Sequence, residues 1–317
     1  MDKRWISGGC AKRGTTKINK SAPQLSPKYL ELIQQLWNKN GIKNYSPINF
    51  INIIEKMEPK FKQSNSDNIK DFICFILEQL NEELKRPHES ICQKINLPNQ
   101  QEKSALISFF ESFGSETSII TNLFYGIIEN NEKCVSSNIK NNTYYQFKGF
   151  NHLVFPLEEF REMMGNTNYK NNISIDDCFY YFISRKIYTK KNDNQCKICE
   201  SKCITQFTSK IFDSPYILIL ILDRGKENKF KIKIDFNEYL DIGKYVLQKG
   251  RTQSYQLYGV ITQIRQNEKN LVASCRNPID HNWYRYNDSD VYPIYDIKKE
   301  IFEFGIPLIL FYSKLTT

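Results

Sequence analysis

Apolar residues recur at three- and four-residue spacings through the first third of this chain, then switch to alternation and short unbroken runs. The first pattern is the repeat of a helix and the second that of a strand. Helices first and strands afterwards predict an α+β architecture rather than alternating strand–helix units. The strongest helix is expected from about Asp67 to Lys85, where Ile69, Phe72, Ile73, Ile76, Leu77, Leu80 and Leu84 share one face. Two shorter helices precede it. One starts at Ser26-Pro27, with serine as cap and proline in the first turn, carries Tyr29, Leu32, Ile33, Leu36 and Trp37, and stops at Gly41. The other starts at Ser46-Pro47 and turns Phe50, Ile53, Ile54 and Met57 inward, with Pro59 following. Residues 1–25 have no periodicity and read as a leader. Residues 86–103 read as a polar surface connection.

Beyond about residue 115 the pattern is that of strands. Ser118–Ile128 is apolar and β-rich, 130–142 reads as a polar loop or finger tip, and Phe147–Phe155 alternates until Pro156. Ile175–Phe182 is a short helix. Tyr216–Leu222 is an unbroken apolar run, expected to be buried on both faces. Phe230, Ile232, Ile234 and Phe236 alternate with polar residues, as a half-buried strand does. Tyr255–Ile264, Leu271–Cys275, Trp283–Tyr286 and Pro307–Tyr312 complete the strands. The net charge is +9, but the basic residues are scattered and form no nucleic-acid motif, so no nucleic-acid partner is expected. No apolar run approaches the roughly 18 residues that cross a bilayer, and no secretory signal opens the chain. The nine cysteines are odd in number and only three fall close together. That pattern fits reduced thiols in the cytoplasm or nucleus better than a disulfide framework.

Four segments, in order, resemble one family. "DNIKDFICFILEQLNEEL" is similar to the QDAxEFL helix, and Ile175–Phe182 to a short helix after the first finger strands. "SPYILILILDR" followed by "DFNEYLDI" resembles a PpxLxixLxRF strand and an FPxxLDL segment. The closing "YQLYGVI", "VASCRNP", "WYRYNDSDV" and "PLILFY" resemble the family's histidine-bearing, WYxFDDxxV and YxLFY strands. These are marks of the ubiquitin-specific proteases, the papain-like deubiquitinases. The resemblance implies the α+β papain-like fold over residues 26–317: a remnant of a helical thumb over 26–114, then antiparallel finger and palm sheets over 115–317. It also implies ubiquitin or ubiquitinated proteins as partners, with thiol-dependent ubiquitin hydrolysis as the family's activity.

The chemistry of that activity is incomplete here. A thiol protease needs a thiolate, a base to form it and a group to orient the base. No NxGNTCYxNS box precedes the helices, and Cys10, in "SGGCAKRGT", is the only thiol upstream of them, so no nucleophile is assigned. Asn270 stands where the family's histidine belongs, and a carboxamide has no useful basicity. The earlier loop histidine is replaced by Gln263, and His88, His152 and His281 all lie elsewhere in sequence. Asn287 keeps the orienting position, next to Asp288. The expectation is an N-terminally truncated, inactive relative that retains ubiquitin binding. The alternatives are an active deubiquitinase whose cysteine box is missing from this sequence, and a non-catalytic interaction protein with no ubiquitin role.

Two binding features follow from the same resemblance. Many family members hold one zinc between two Cys-x-x-Cys pairs at the finger tips. Here Cys196 and Cys199 keep one pair, Cys203 follows, and Cys134 stands without a partner because Ser137 occupies the second position. Free thiols and no cofactor are expected, the alternative being a zinc held by Cys134, Cys196, Cys199 and Cys203. Acidic residues usually meet the basic ubiquitin tail, and Asp176, Asp177 and Asp288 are the candidates. Cys74, Cys178 and Cys275 lie on apolar patterns and read as core.

Overall fold

The computed structural model describes residues 24–38, 45–62, 68–87, 99–113, 116–135, 143–163, 172–190, 196, 198–199, 204–248, 252–265, 270–288 and 290–315. Its centre is an eight-stranded sheet. The order across it is Asp290–Ile294, Trp283–Asn287, Leu271–Arg276, Ser254–Ile264, Gly305–Lys314, Ile217–Asp223 and Leu153–Pro156, with Tyr239–Asp241 also pairing to Ser254–Ile264. Only Leu153–Pro156 runs parallel to its neighbour. The apolar run expected to be buried from Tyr216 becomes strand only at Ile217, Tyr216 being 40% exposed, and 217–222 is covered on both faces. Ile219 and Ile221 turn to a helical layer with Leu77, Leu80, Phe50 and Ile54. Leu218, Leu220 and Leu222 turn the other way, into a core with Phe155, Phe179 and Ile301. The helical layer comprises Ser26–Leu36, Ile48–Met57, Ile69–Leu84 and Ile119–Phe124. A second, four-stranded antiparallel sheet has the order Thr143–Phe150, Gly126–Cys134, Ile204–Asp213, Ile187–Lys190. Helix Gln100–Phe113 covers it through Leu106, which packs with Phe147 and Phe212.

Several expectations are corrected. Ser26 is not a cap but the first helical residue; Leu25 precedes it, fully buried, and the Glu83 carboxylate accepts both of their backbone N–H groups at 2.8 and 2.7 Å. The segment read as β-rich from Ser118 begins with a helix, Ile119–Phe124. Ser118 caps it by accepting from the Thr121 N–H at 3.0 Å, and Asn81 of the long helix accepts from the Thr121 hydroxyl at 2.7 Å. The helical layer therefore continues past residue 114. Residues 130–134, read as loop, extend a strand, because Asn130–Lys133 find partners in both neighbouring strands. The connection read over 86–103 gives way to helix at Gln100. The strand read over 230–236 shrinks to Lys233–Asp235, since buried Arg224 takes the carbonyls of Phe230 and Ile232 at 2.9 and 2.8 Å.

Gly305 starts the strand that joins the two halves of the large sheet, opposite Ile264. A Cβ there would lie 2.0 Å from the Gln263 carbonyl oxygen. Gly305→Ala is therefore expected to lower stability by about 2–3 kcal/mol through backbone displacement, read as a shift of the urea midpoint at constant slope.

Candidate functional site

Three of the expected residues meet at one end of the large sheet. Asn270 directly precedes strand Leu271–Arg276 and is exposed, its carbonyl accepting from the Ile264 N–H at 3.0 Å. The antiparallel pair Ala273 and Tyr286 sets the register of the next strand, which carries Asn287 to the same sheet end as Asn270. Asp288 sits in the tight turn between Asn287 and Asp290 with φ +52°, a conformation that a short polar side chain tolerates. Its observed role is that of a turn residue. A cavity of about 520 Å³ lies across the sheet from them, between the start of helix Ile69–Leu84 and the ends of strands Ile217–Asp223 and Leu153–Pro156, and Asn270, Asn287 and Asp288 are not among its walls. Ile69, Lys70, Ile221, Asp223 and Glu158 are among its walls.

Of the two described histidines, neither stands at the sheet end of Asn270 and Asn287. His281 sits at φ +59° in the turn before Trp283, at the opposite end of the strand from Asn287. The five-residue strand Trp283–Asn287 lies between them, a span of about 15 Å. His88 lies outside the described residues, as does Cys10.

His152 does have a thiol beside it, which the sequence reading missed. Its Nδ1 and Nε2 lie 3.6 and 3.9 Å from Cys74 Sγ, and Nδ1 donates to Asn151 Oδ1 at 2.7 Å. Thiol, imidazole and carboxamide are the three groups of a cysteine protease. Here, however, Cys74, His152 and Asn151 are only 1, 2 and 4% exposed, sealed between the long helix and the sheet. Burial, and then the charge of Lys70, pull the imidazole down to about 3. At neutral pH it is uncharged and a very weak base, so it does not take the thiol's proton. Cys74 is thus a core residue, as is Cys178, whose thiol burial pushes well above the usual range. Cys275 is only half-buried.

The second sheet gathers three more cysteines. Cys134 ends the strand Gly126–Cys134, while Cys196 and Cys199 come from the connection between Ile187–Lys190 and Ile204–Asp213. The three sulfurs lie within 4.8 Å of one another, and Cys134 and Cys199 are 3.7 Å apart. A disulfide needs about 2.05 Å, whereas two thiolates 2.3 Å from one tetrahedral ion stand about 3.8 Å apart. Cys134 and Cys196 are fully buried, and the Ile198 N–H donates to Cys196 Sγ at 3.4 Å. The donor set and its spacing fit zinc. Cys203 and Ser137 lie outside the described residues.

Of the carboxylates expected to meet a basic tail, Asp177 is committed to the capping box of helix Ile175–Ser184, accepting from the Ser174 N–H at 3.0 Å and its hydroxyl at 2.6 Å. Asp176 pairs with Lys244 at 2.8 Å on the surface.

The sequence profile of the ubiquitin carboxyl-terminal hydrolases matches residues 7–312. The chain belongs to that family. It is 23% identical over 283 residues to chicken (Gallus gallus) ubiquitin carboxyl-terminal hydrolase 2, covering 85% of this chain and 75% of the relative. To the Drosophila melanogaster hydrolase Usp2 it is 21% identical over 287 residues, covering 88% of this chain and 29% of the relative. Among solved structures, the SAGA Ubp8/Sgf11/Sus1/Sgf73 DUB module bound to ubiquitin aldehyde superposes with a TM-score of 0.62 at 19% identity, over 94% of this chain and 61% of that one. A second structure of the Ubp8-Sgf11-Sgf73-Sus1 SAGA DUB module gives 0.59 at 18%, over 93% and 58%. The fold is therefore that of the papain-like ubiquitin-specific proteases, and the chain spans a minor part of some of its relatives.

Proposed function

We propose that this family member binds ubiquitin without hydrolysing its conjugates. The observation that carries the reading is the split of the machinery. The sheet end that holds the orienting Asn287 has an amide at Asn270 instead of an imidazole, while the thiol–imidazole pair of Cys74 and His152 is closed off in the core. A proton cannot be drawn from a nucleophile at that end by a carboxamide. Ubiquitin as the retained partner is supported by family membership and by the likeness to a module whose solved structure carries ubiquitin aldehyde. Asp288 remains an exposed carboxylate for a basic tail, whereas Asp176 is paired with Lys244 and Asp177 is spent on its helix.

Titration of 15N-labelled ubiquitin with the full chain tests the binding half. Saturable shifts concentrated at the ubiquitin C-terminus and its basic face are expected. An unchanged spectrum at several hundred micromolar chain would leave the interaction-protein reading with no ubiquitin role in its place.

We further propose that Cys134, Cys196 and Cys199 hold a structural zinc, with Cys203 supplying the fourth thiolate. Such an ion would tie the end of the second sheet together and take no part in acyl chemistry, because a four-thiolate site leaves no open position.

A further inference from the structure

We propose that helix Gln100–Phe113 is clamped to the second sheet by a single proton shared between Glu102 and Glu129, a clamp that tightens in acid and loosens as the proton leaves. Glu129 lies in the middle of strand Gly126–Cys134 and is only 2% exposed. One carboxylate oxygen accepts from Asn131 Nδ2 at 2.7 Å. The other, Oε2, is buried and no N–H or O–H donor reaches it. Glu102, in the first turn of the helix, brings its own carboxyl within hydrogen-bonding reach of Glu129. Two carboxylates cannot bond to each other when both are ionised, since neither has a proton to donate; with one proton between them the orphaned oxygen is satisfied.

Among the described residues, one cation bears on Glu102. From strand Ile204–Asp213, Lys210 stands opposite Glu129 and favours the ionised form of Glu102. From strand Thr143–Phe150 comes Tyr145, a neutral phenol whose hydroxyl accepts from Asn99 Nδ2 at 3.1 Å, just before the helix. One lysine against two acids leaves one negative charge over, and a proton is what cancels it. Burial first, then the charge of Glu129, push the Glu102 carboxyl from 4.5 up to about 6.

The direction follows from linkage. The docked helix holds a proton that a freed Glu102 has released once pH passes 4.5, so docking weakens as pH rises from 4.5 through 6 and stays weakened above. Through Leu106 the helix covers Phe147 and Phe212, so loosening it uncovers an aromatic surface on the second sheet.

Hydrogen–deuterium exchange of the amides at 100–106 in the full chain, corrected for intrinsic rates, tests the clamp. Protection is expected to fall about tenfold between pH 5 and pH 7.5. In Glu102→Gln, where the amide donates permanently to Glu129, protection is expected to be high and independent of pH. Glu102 is only half-buried, so that variant folds, and Glu129→Gln serves as the reciprocal check. Protection that does not change with pH in the wild type, or a Glu102→Gln variant with the same fall, would overturn the proposal.

Discussion

Purified under reducing conditions, the chain is expected to carry one zinc, and Cys199→Ser is expected to lose it together with the order of the second sheet's end. Three sulfurs lie within 4.8 Å of one another with two of them fully buried, the convergence that one tetrahedral ion produces. A structural zinc contributes about 10–16 kcal/mol in small zinc peptides at neutral pH. Even a third of that rivals the whole stability margin of a domain, about 5–15 kcal/mol. Elemental analysis gives the stoichiometry, and a chelator is expected to lower the melting temperature by about 10 °C or more. Acid is expected to do the same, because the metal-bound thiolates must take up protons. A metal-free preparation whose melting temperature ignores both zinc and chelator would sink the assignment.

The parts of the fold that were legible in the sequence are those whose burial is simple. The run at 217–222 reads as a buried strand because both of its faces are covered, and the long helix reads cleanly because its apolar stripe is uninterrupted. Strand Gly126–Cys134 did not read so, since Glu129, Asn131 and Glu132 break the apolar alternation, and two of them are nevertheless buried. Helix Gln100–Phe113 was hidden by the same chemistry from the other side: its first turn is polar because it meets Glu129. Polar groups paired inside a structure look, in one dimension, like solvent-facing residues. The candidate site shows the same limit. Asn270 and Asn287 were placed by motif, and the strand register brings them to one sheet end. The pairing of Cys74 with His152 joins residues 78 positions apart, and no local pattern signals it.

Hydrolysis of a fluorogenic ubiquitin amide is expected to stay at the uncatalysed background in the wild type, and Asn270→His alone is expected to leave it there. An imidazole at 270 would share a sheet end with Asn287 and regain the orienting half of the machinery. A base of that kind contributes about 10²–10⁴ in rate, but only when a nucleophile stands within reach of it. Loss of nucleophile and base together costs on the order of 10⁶ in a hydrolase of this logic, far more than restoring one of them returns. Ubiquitin bearing a C-terminal electrophile discriminates the ways this could fail. No adduct is expected, because Cys74 is sealed and its imidazole is neutral. An adduct that vanishes in Cys74→Ala would mean that the core pair opens toward the 520 Å³ cavity one helical turn away, where Lys70 forms a wall. An adduct that vanishes in Cys10→Ala would move the nucleophile to the N-terminal segment. Either result places a reactive thiol at the ubiquitin tail and ends the reading of the chain as a binder alone.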